Sequence, residues 1–448
     1  MNTNTMDIQL PLKRIIFIVL TIEMVFFILL LKSPSLGMFF LTVSGVLFFL
    51  YAYPEIGLAI AFTGNNIIYF AFDHLNISMR YPEVMSYMAI LTLAACFYLF
   101  KNYADKDIRL GKLFSISIAI VVLLMIGVLY SSDRTYGMFK ITFYFIYNLP
   151  LFVVASFYRY DFPGIEKILF FTLLIGIVLS YFSFQAAAES LFFKFMRFRL
   201  SDDVGPLNLS RGAALSIVSA FYFLVRFRSI ALKLLVVAAM AFVVAPLVWT
   251  GSRAPLLGLL LTGILFYLLQ PSQSLIRKIS FFIVSFTGGV FVILRFAGHV
   301  ATRMSTPVME EASAAFRVLA WIQSLQDFAS SPLLGIGTGS FYLETLFVPL
   351  IYPHNLILEL MCENGIFGLV AILIFIGFCG VYGLKSIKAF YDSNNPQATQ
   401  LSIVALCLFA NSLWNAMFSG HISANFMVWF SAGLIWAMHS TYKYPKLA

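Results

Sequence analysis

Stretches of about 17–25 mostly apolar residues recur along almost the whole of this 448-residue chain. As helices they are long enough to cross a bilayer, where every backbone polar group needs an internal hydrogen bond. The composition agrees, because 61% of the residues are hydrophobic and only 11% are charged, against about 25% charged in soluble proteins. The runs are 15–31, 37–53, 55–73, 82–100, 112–130, 138–158, 164–186, 207–225, 230–249, 254–270, 279–297, 365–384, 398–417 and 421–438.

Short neighbouring runs can merge into re-entrant pairs, so we predict an all-α polytopic membrane protein with about 12–14 transmembrane helices. The first run, 15–31, lacks the small-residue cleavage site of a signal peptide, and we expect it to remain as a span. The four cysteines show no CxxC spacing and predict neither a disulfide framework nor a metal site.

The basic residues divide between the two sides of the membrane. With the N-terminus inside, eleven of the fourteen lysines fall on the inner side, as the positive-inside rule expects. Nine of the fifteen arginines instead fall outside or at the outer boundary: Arg80, Arg134, Arg197, Arg199, Arg211, Arg253, Arg295, Arg303 and Arg317. We infer that the outer face needs guanidinium groups. The chain has a net charge of +9 but no basic tract interleaved with aromatics, so the charge does not indicate nucleic acid binding.

The spacing of the runs predicts three regions. Residues 1–297 carry the first transmembrane helices, with an outer loop near 187–206, and residues 365–448 carry the last ones. Between them, residues 298–364 form a long outer loop, and loops of this length are usually functional. Within it, Phe316, Leu319, Ile322, Leu325 and Phe328 have helical spacing, which predicts an amphipathic helix on the outer surface.

The segment SPLLGIGTGSF follows that helix and is rich in glycine. It lacks the Lys-Ser/Thr pair of a phosphate-binding P-loop, so we interpret it as a turn and expect no nucleotide.

Arginine is the first candidate for chemistry, because its planar guanidinium can grip phosphate oxygens with two parallel hydrogen bonds. Arg197 and Arg199 alternate in FMRFRLS, Arg253 lies in the small-residue turn TGSRAP, and Arg317 lies on the amphipathic helix. Each could instead reach a lipid headgroup or cap a helix end.

His354 is the second candidate. It follows Pro353 and precedes Asn355, at the start of a helix whose apolar stripe ends near Gly365. A histidine there could act as a general base or donate a hydrogen bond to a leaving phosphate, or it could simply cap an interfacial helix. The other four histidines, His421 among them, lie singly near span ends and are interpreted as interfacial.

Glu359 and Glu363 share one helix face at i,i+4. They could orient a basic partner, or they could form a solvated edge of the helix.

Three segments, in this order, resemble the O-antigen ligase and polymerase superfamily: SRAPLLGLLLTGILFYLL, FRVLAWIQSLQDFASSPLLGIGTGSFY and PHNLILELMCENGIFGLVAILIF. The resemblance covers roughly residues 205–385. It implies a fold like the GT-C membrane glycosyltransferases, with about twelve spans, and transfer of a glycan from undecaprenyl diphosphate outside the inner membrane without metal, nucleotide or other cofactor.

The resemblance also implies roles for individual residues. It matches His354, Arg253 and Arg317 to catalytic positions, and an earlier loop arginine to Arg199, Arg197 or Arg211. The diphosphate would bind the arginines, while Asn355 or Glu359 would orient His354. The acceptor would be a lipid A core for a ligase or a lipid-linked repeat unit for a polymerase, and we expect inversion at the anomeric carbon.

Two other kinds of protein remain as alternatives. A transporter or flippase for an anionic lipid-linked saccharide would also need arginines, but should place charges at the bilayer midplane and show repeat symmetry. A non-catalytic scaffold would tolerate substitution of the arginines and the histidine. We expect an inner-membrane enzyme with both termini in the cytoplasm and its site outside.

Overall fold

The computed structural model describes residues 53–63, 66, 70, 111–158, 161–189, 200, 205–271, 274, 276, 312–345 and 349–443. All elements below belong to the unit that begins at Pro54. The helices are α1 (Pro54–Phe62), α2 (Gly111–Leu129), α3 (Arg134–Phe143), α4 (Leu149–Phe157), α5 (Phe162–Glu189), α6 (Pro206–Arg226), α7 (Ile230–Trp249), α8 (Arg253–Leu268), α9 (Ala312–Ser330), α10 (Leu356–Asp392), α11 (Pro396–Ala416) and α12 (Phe426–Lys443).

This architecture confirms the prediction of an all-α polytopic membrane protein. Within the described residues six helical segments are long and apolar enough to cross a membrane, and α8 is a shorter apolar helix. A single bridge pair, Leu343 with Leu350, is the only β-pairing in these ranges. The predicted runs 15–31, 82–100 and 279–297, and 37–53 apart from Tyr53, lie outside the described residues.

Burial separates the helices that expose much of their apolar surface from those that build the core. In α7 only 22% of the membrane-length window is buried, whereas 83% of the window in α6 is buried. The C-terminal helices are central: α11 packs against α6, α8, α10 and α12, and α12 packs against α4 and α10. Every residue of α12 from Phe426 to Ser440 is buried.

The long helix α10 divides the bundle into two ends. It begins beside His354, and we call this the His354 end; it finishes near Lys385 and Lys388, at what we call the Lys385 end. Helix α6 and helix α12 also begin at the His354 end, where Pro206 and Phe426 line the same cavity.

Helix α9 confirms the helix predicted in the long loop. It packs on α10 through a small-residue face that includes Ala320 and Ser324, both fully buried. Leu319, Ile322 and Leu325 of the predicted stripe are 43%, 47% and 53% exposed, so this part of the stripe faces away from the protein. An outward apolar stripe suits a helix that lies in a membrane interface.

The glycine-rich segment is a turn, as predicted, and its role is to cap a broken helix. Helix α10 is interrupted at Gly365, whose φ of 64° and ψ of −154° are not helical. The amides of Ile336 and Gly337 donate to the carbonyl oxygens of Cys362 and Glu363, at 2.9 and 3.0 Å. Gly335 has a φ of +75°, and a Cβ there would lie 2.4 Å from the backbone of Glu363. The turn therefore satisfies carbonyls that the break leaves without helical partners.

Candidate functional site

A cavity of about 590 Å³ opens at the His354 end of the bundle. Its walls come from α3, the start of α6, the segment before α10 and the connection between α11 and α12. The lining residues are Tyr136, Phe139, Gly205, Pro206, Leu207, Asn208, Arg211, Ile351, Tyr352, His354, Ser419, Gly420, His421, Ala424, Phe426 and Met427. Two residues proposed from sequence, Arg211 and His354, therefore face one space.

The backbone fixes His354 in an unusual conformation. Its φ of 58° lies in the left-handed region, which few residues other than glycine adopt. Asn355 follows as the N-cap of α10, and its Oδ1 accepts hydrogen bonds from the amides of Ile357 and Leu358, each at 3.0 Å. His354 is thus held in place by the capped start of α10, which follows it directly.

The His354 imidazole is neutral at physiological pH. Burial, together with the positive charge of Arg317, lowers its pKa to about 4. Its ring centroid lies 4.3 Å from that of Tyr352. Within the described residues its Nδ1 is enclosed and has no hydrogen-bond partner. Asn355 caps the helix, and Glu359 contacts Lys140 and the amide of Ile422. Among the described residues no hydrogen bond joins either side chain to His354, and that either one orients His354 stays a prediction.

Arg211 is a buried cation on the cavity wall. Its side chain is 6% exposed, and its Nη2 donates to Asn425 Oδ1 at 2.7 Å. Asn425 is fixed in turn, because its Nδ2 donates to the carbonyl oxygens of Ser419 and His421. Among the described residues no carboxylate forms an ion pair with Arg211, and its Nε has no hydrogen-bond partner. The guanidinium is therefore available to an anion in the cavity.

The other candidate arginines are placed less directly. Arg317, on α9, is close enough for its charge to act on His354 and Tyr352. Arg253 begins α8 just after Ser252, whose hydroxyl donates to the carbonyl of the cavity residue Pro206 at 3.5 Å. Arg197 and Arg199 lie outside the described residues.

Beneath the cavity, Glu359 and Glu363 share one cation, which confirms the interpretation that they orient a basic partner. Lys140 Nζ lies 2.7 Å from Glu359 Oε1 and 2.6 Å from Glu363 Oε1. All three side chains are at most 1% exposed, so the alternative of a solvated helix edge is wrong. Glu359 Oε2 also accepts from the amide of Ile422 at 2.8 Å. The cluster thereby joins α3, α10 and the loop before α12.

Sequence reasoning missed several wall residues, among them Tyr136, Tyr352 and His421. His421, interpreted as interfacial, is 7% exposed, lines the cavity and lies 5.3 Å from the Tyr352 ring. Burial is the main reason that its pKa falls to about 3, and the charge of Lys140 adds to it. The ring centroid of Tyr136 lies 5.0 Å from Lys140 Nζ. The only local signal was the i,i+4 spacing of Tyr136 and Lys140 on one face of α3.

Together these groups suit a substrate that is both anionic and rich in hydroxyls. Arg211 offers charge-assisted donors, the two neutral imidazoles offer acceptors, and the rings of Tyr136, Tyr352 and Phe426 offer flat apolar surface.

Comparison with known proteins places part of the chain. Residues 238–373 match the family model described as O-Antigen ligase. This range runs from within α7 to within α10 and includes Arg253, Arg317, the glycine turn and His354, while Arg211 lies before it. No curated protein matches the chain. The match confirms the resemblance that the sequence motifs indicated.

Proposed function

We propose that this chain, whose residues 238–373 form an O-antigen ligase domain, transfers a glycan from undecaprenyl diphosphate to an acceptor hydroxyl. The domain indicates a ligase or polymerase type of activity, with a lipid-linked glycan and an acceptor as substrates. One observation carries the finer proposal. The cavity joins a buried guanidinium that has no carboxylate partner in the described chain to a neutral imidazole.

The arginines bind the diphosphate. Arg211 contributes from the cavity wall, and Arg253 and Arg317 contribute from the adjoining turn and helix, with Arg199 or Arg197 as the further loop arginine. A guanidinium binds phosphate oxygens bidentately. Its charge stabilises the leaving diphosphate most strongly when negative charge develops there, which lowers the barrier to bond breaking.

His354 accepts a proton. The acceptor hydroxyl oxygen attacks the anomeric carbon, the bond to the diphosphate breaks with its electron pair on the phosphate oxygen, and the hydroxyl proton passes to the imidazole. A pKa of about 4 supports the role of base, because the ring is unprotonated at neutral pH. An anionic donor bound beside it would raise this pKa and make the ring a better base. Direct attack opposite the leaving group gives inversion and needs neither metal nor nucleotide.

Asn355 and Glu359 support the site from outside it. Asn355 caps α10 directly after His354, and Glu359 ties α10 to Lys140 and to the amide next to His421. We assign both as positioning residues.

The proposed orientation puts the His354 end on the outer face of the inner membrane, with both termini in the cytoplasm. Lys112, Lys385, Lys388 and Lys443 gather at the Lys385 end. The positive-inside rule assigns such a lysine-rich end to the cytoplasm.

The test uses purified full-length protein in detergent with an undecaprenyl-diphosphate oligosaccharide, in the presence of a chelator and without nucleotide. Lipid A core and a second lipid-linked repeat are offered separately as acceptors. A product on lipid A core identifies a ligase, and a ladder of lengthened repeats identifies a polymerase. The variant His354→Gln should lose transfer while it stays folded.

Transfer by His354→Gln at the wild-type rate would refute the assigned base. If neither acceptor is extended and the labelled lipid instead crosses a liposome bilayer, the protein is a transporter.

A further inference from the structure

A second cleft lies at the Lys385 end of the bundle, away from the proposed active site, with a volume of about 670 Å³. Four lysines on three helices line it: Lys112 on α2, Lys385 and Lys388 on α10, and Lys443 on α12. Asp392 is the only acidic residue among its described lining residues, so these groups sum to a charge of +3 (four lysines less one aspartate).

The floor of this cleft is aromatic and contains a buried polar group. The His439 ring stacks on Tyr382 with centroids 4.2 Å apart and an angle of 11°. His439 is 6% exposed, and its Nδ1 has no hydrogen-bond partner among the described residues. Lys112 Nζ lies 5.6 Å from the centroid of the Phe378 ring. With Lys112 over a ring, the cleft is apolar at its floor and cationic at its rim.

Helix α2 adds to the positive potential. Its first turn contains Lys112 and no acidic residue, and the first amides of a helix carry partial positive charge. The positive-inside rule explains why lysines lie on one side of the membrane, but it does not explain why four of them line one cleft. Lys233, for example, is exposed at the start of α7 and does not line the cleft.

We propose that this cleft binds the phosphate headgroup of an anionic phospholipid. The lysines contact the phosphate oxygens, and the acyl chains follow the apolar surface that continues from the cleft. Val381 and Tyr442 line the cleft and are 45% and 48% exposed. Leu384, one helical turn after Val381 on α10, is 53% exposed. A soluble phosphate would gain nothing from this apolar surface, whereas basic pockets between transmembrane helices suit anionic lipid headgroups.

The test is a titration of the full-length protein with phosphatidylglycerol and with phosphatidylcholine, followed by native mass spectrometry from detergent. The wild type should bind phosphatidylglycerol more tightly. Each lysine removed should weaken that binding about fivefold, and Lys385→Gln with Lys388→Gln about thirtyfold. Lys112→Gln tests the same cleft from another helix, and Lys233→Gln is the matched control, which should bind as the wild type does.

Equal binding of the two lipids, or a loss in Lys233→Gln as large as in Lys385→Gln, would overturn the site. Displacement of phosphatidylglycerol by millimolar inorganic phosphate, with phosphate alone binding equally well, would make it a site for a soluble anion and overturn the lipid assignment. Glycan transfer is not measured in any arm, so the result is independent of the proposed enzyme activity.

Discussion

Two buried cations near the His354 end have opposite surroundings. Lys140 lies between two carboxylates, at 2.7 and 2.6 Å, and all three side chains are shielded from solvent. Arg211 is held by the neutral amide of Asn425 and faces a cavity, with no carboxylate partner in the described ranges. Burying a charge is costly unless the charge is paired and hydrogen-bonded. The chain supplies the partner of Lys140 from within, and we infer that the substrate supplies that of Arg211.

Burial and charge alone do not identify a binding residue. Lys140 is the more deeply buried cation and the more strongly paired, and for that reason it is a structural group. Arg211 has fewer partners and is the better candidate for binding, because its remaining donors can meet phosphate oxygens.

The largest effect should come from breaking the Lys140 cluster. Lys140→Met leaves two carboxylates buried without a cation, and removing one partner of a buried ion pair costs about 3–5 kcal/mol. We expect a marked fall in the thermal unfolding temperature of the detergent-solubilised protein. Adding Glu359→Gln and Glu363→Gln to Lys140→Met should recover most of the loss. If the single variant unfolds at the wild-type temperature, the cluster is not structural.

Arg211 should respond in the opposite way. Arg211→Gln should lower transfer about 10²–10³-fold, the range for removing one group that stabilises the transition state, with little change in unfolding temperature. The matched control is Arg226→Gln at the other end of the same helix, where an exposed guanidinium lies 3.4 Å from Glu166. That variant should be active and about as stable as the wild type. Equal losses in both variants would refute a specific role for Arg211.

Acid should destabilise the folded protein through His354, which lines the same cavity as Arg211. The pKa of His354 is about 4 when folded, below the ordinary 6.5, so the unfolded chain binds the extra proton first. The stability this group contributes is present above pH 6.5 and is lost as the pH falls towards 4, by about 2 kcal/mol at pH 5. His354→Gln lacks this loss, so its unfolding temperature should rise relative to the wild type between pH 7.5 and 5. Parallel curves for the two proteins would contradict a half-buried ring that stays neutral in the folded state.

The smallest effect should come from making Arg211 resemble Lys140. Asn425→Asp places a carboxylate beside the guanidinium, where it would compete with the substrate. We expect the KM for the lipid-linked donor to rise about tenfold, which is about 1.4 kcal/mol. Asn425→Ser serves as the control, because it also loses the amide that donates to Ser419 and His421. A KM that rises equally in both variants would show that the loop, and not the charge, matters.

The sequence predicted the helices well and the site in part, for physical reasons that differ. Apolar runs are set by bilayer thickness, so the predicted 207–225 and 230–249 are close to the observed Pro206–Arg226 and Ile230–Trp249. The break at Gly365 was also predicted, because the helix was expected to end at ENG, whose last residue is Gly365. These features are local, and local pattern suffices for them.

Long-range partners could not be read from pattern. The i,i+4 spacing of Glu359 and Glu363 indicated a basic partner but not which residue it is. Lys140 is 223 residues from Glu363 in sequence and lies in an ordinary apolar run. His421 was assigned an interfacial place because nothing in GHIS distinguishes a span end from a cavity wall. Only the packing of α3 against the loop before α12 brings these residues to the site.

The left-handed backbone at His354 determines which substitution can remove the imidazole and leave room for free imidazole to bind in its place. Alanine at a φ of 58° would keep the backbone strain of about 1–2 kcal/mol that a residue with a Cβ carries there, whereas glycine adopts this conformation freely. His354→Gly should therefore leave an undistorted chain with a vacancy the shape of a free imidazole. Added imidazole should restore part of the transfer, and pyrazole, a ring of the same size but far less basic, should not. Recovery that follows basicity and not size would identify proton transfer as the work of this side chain.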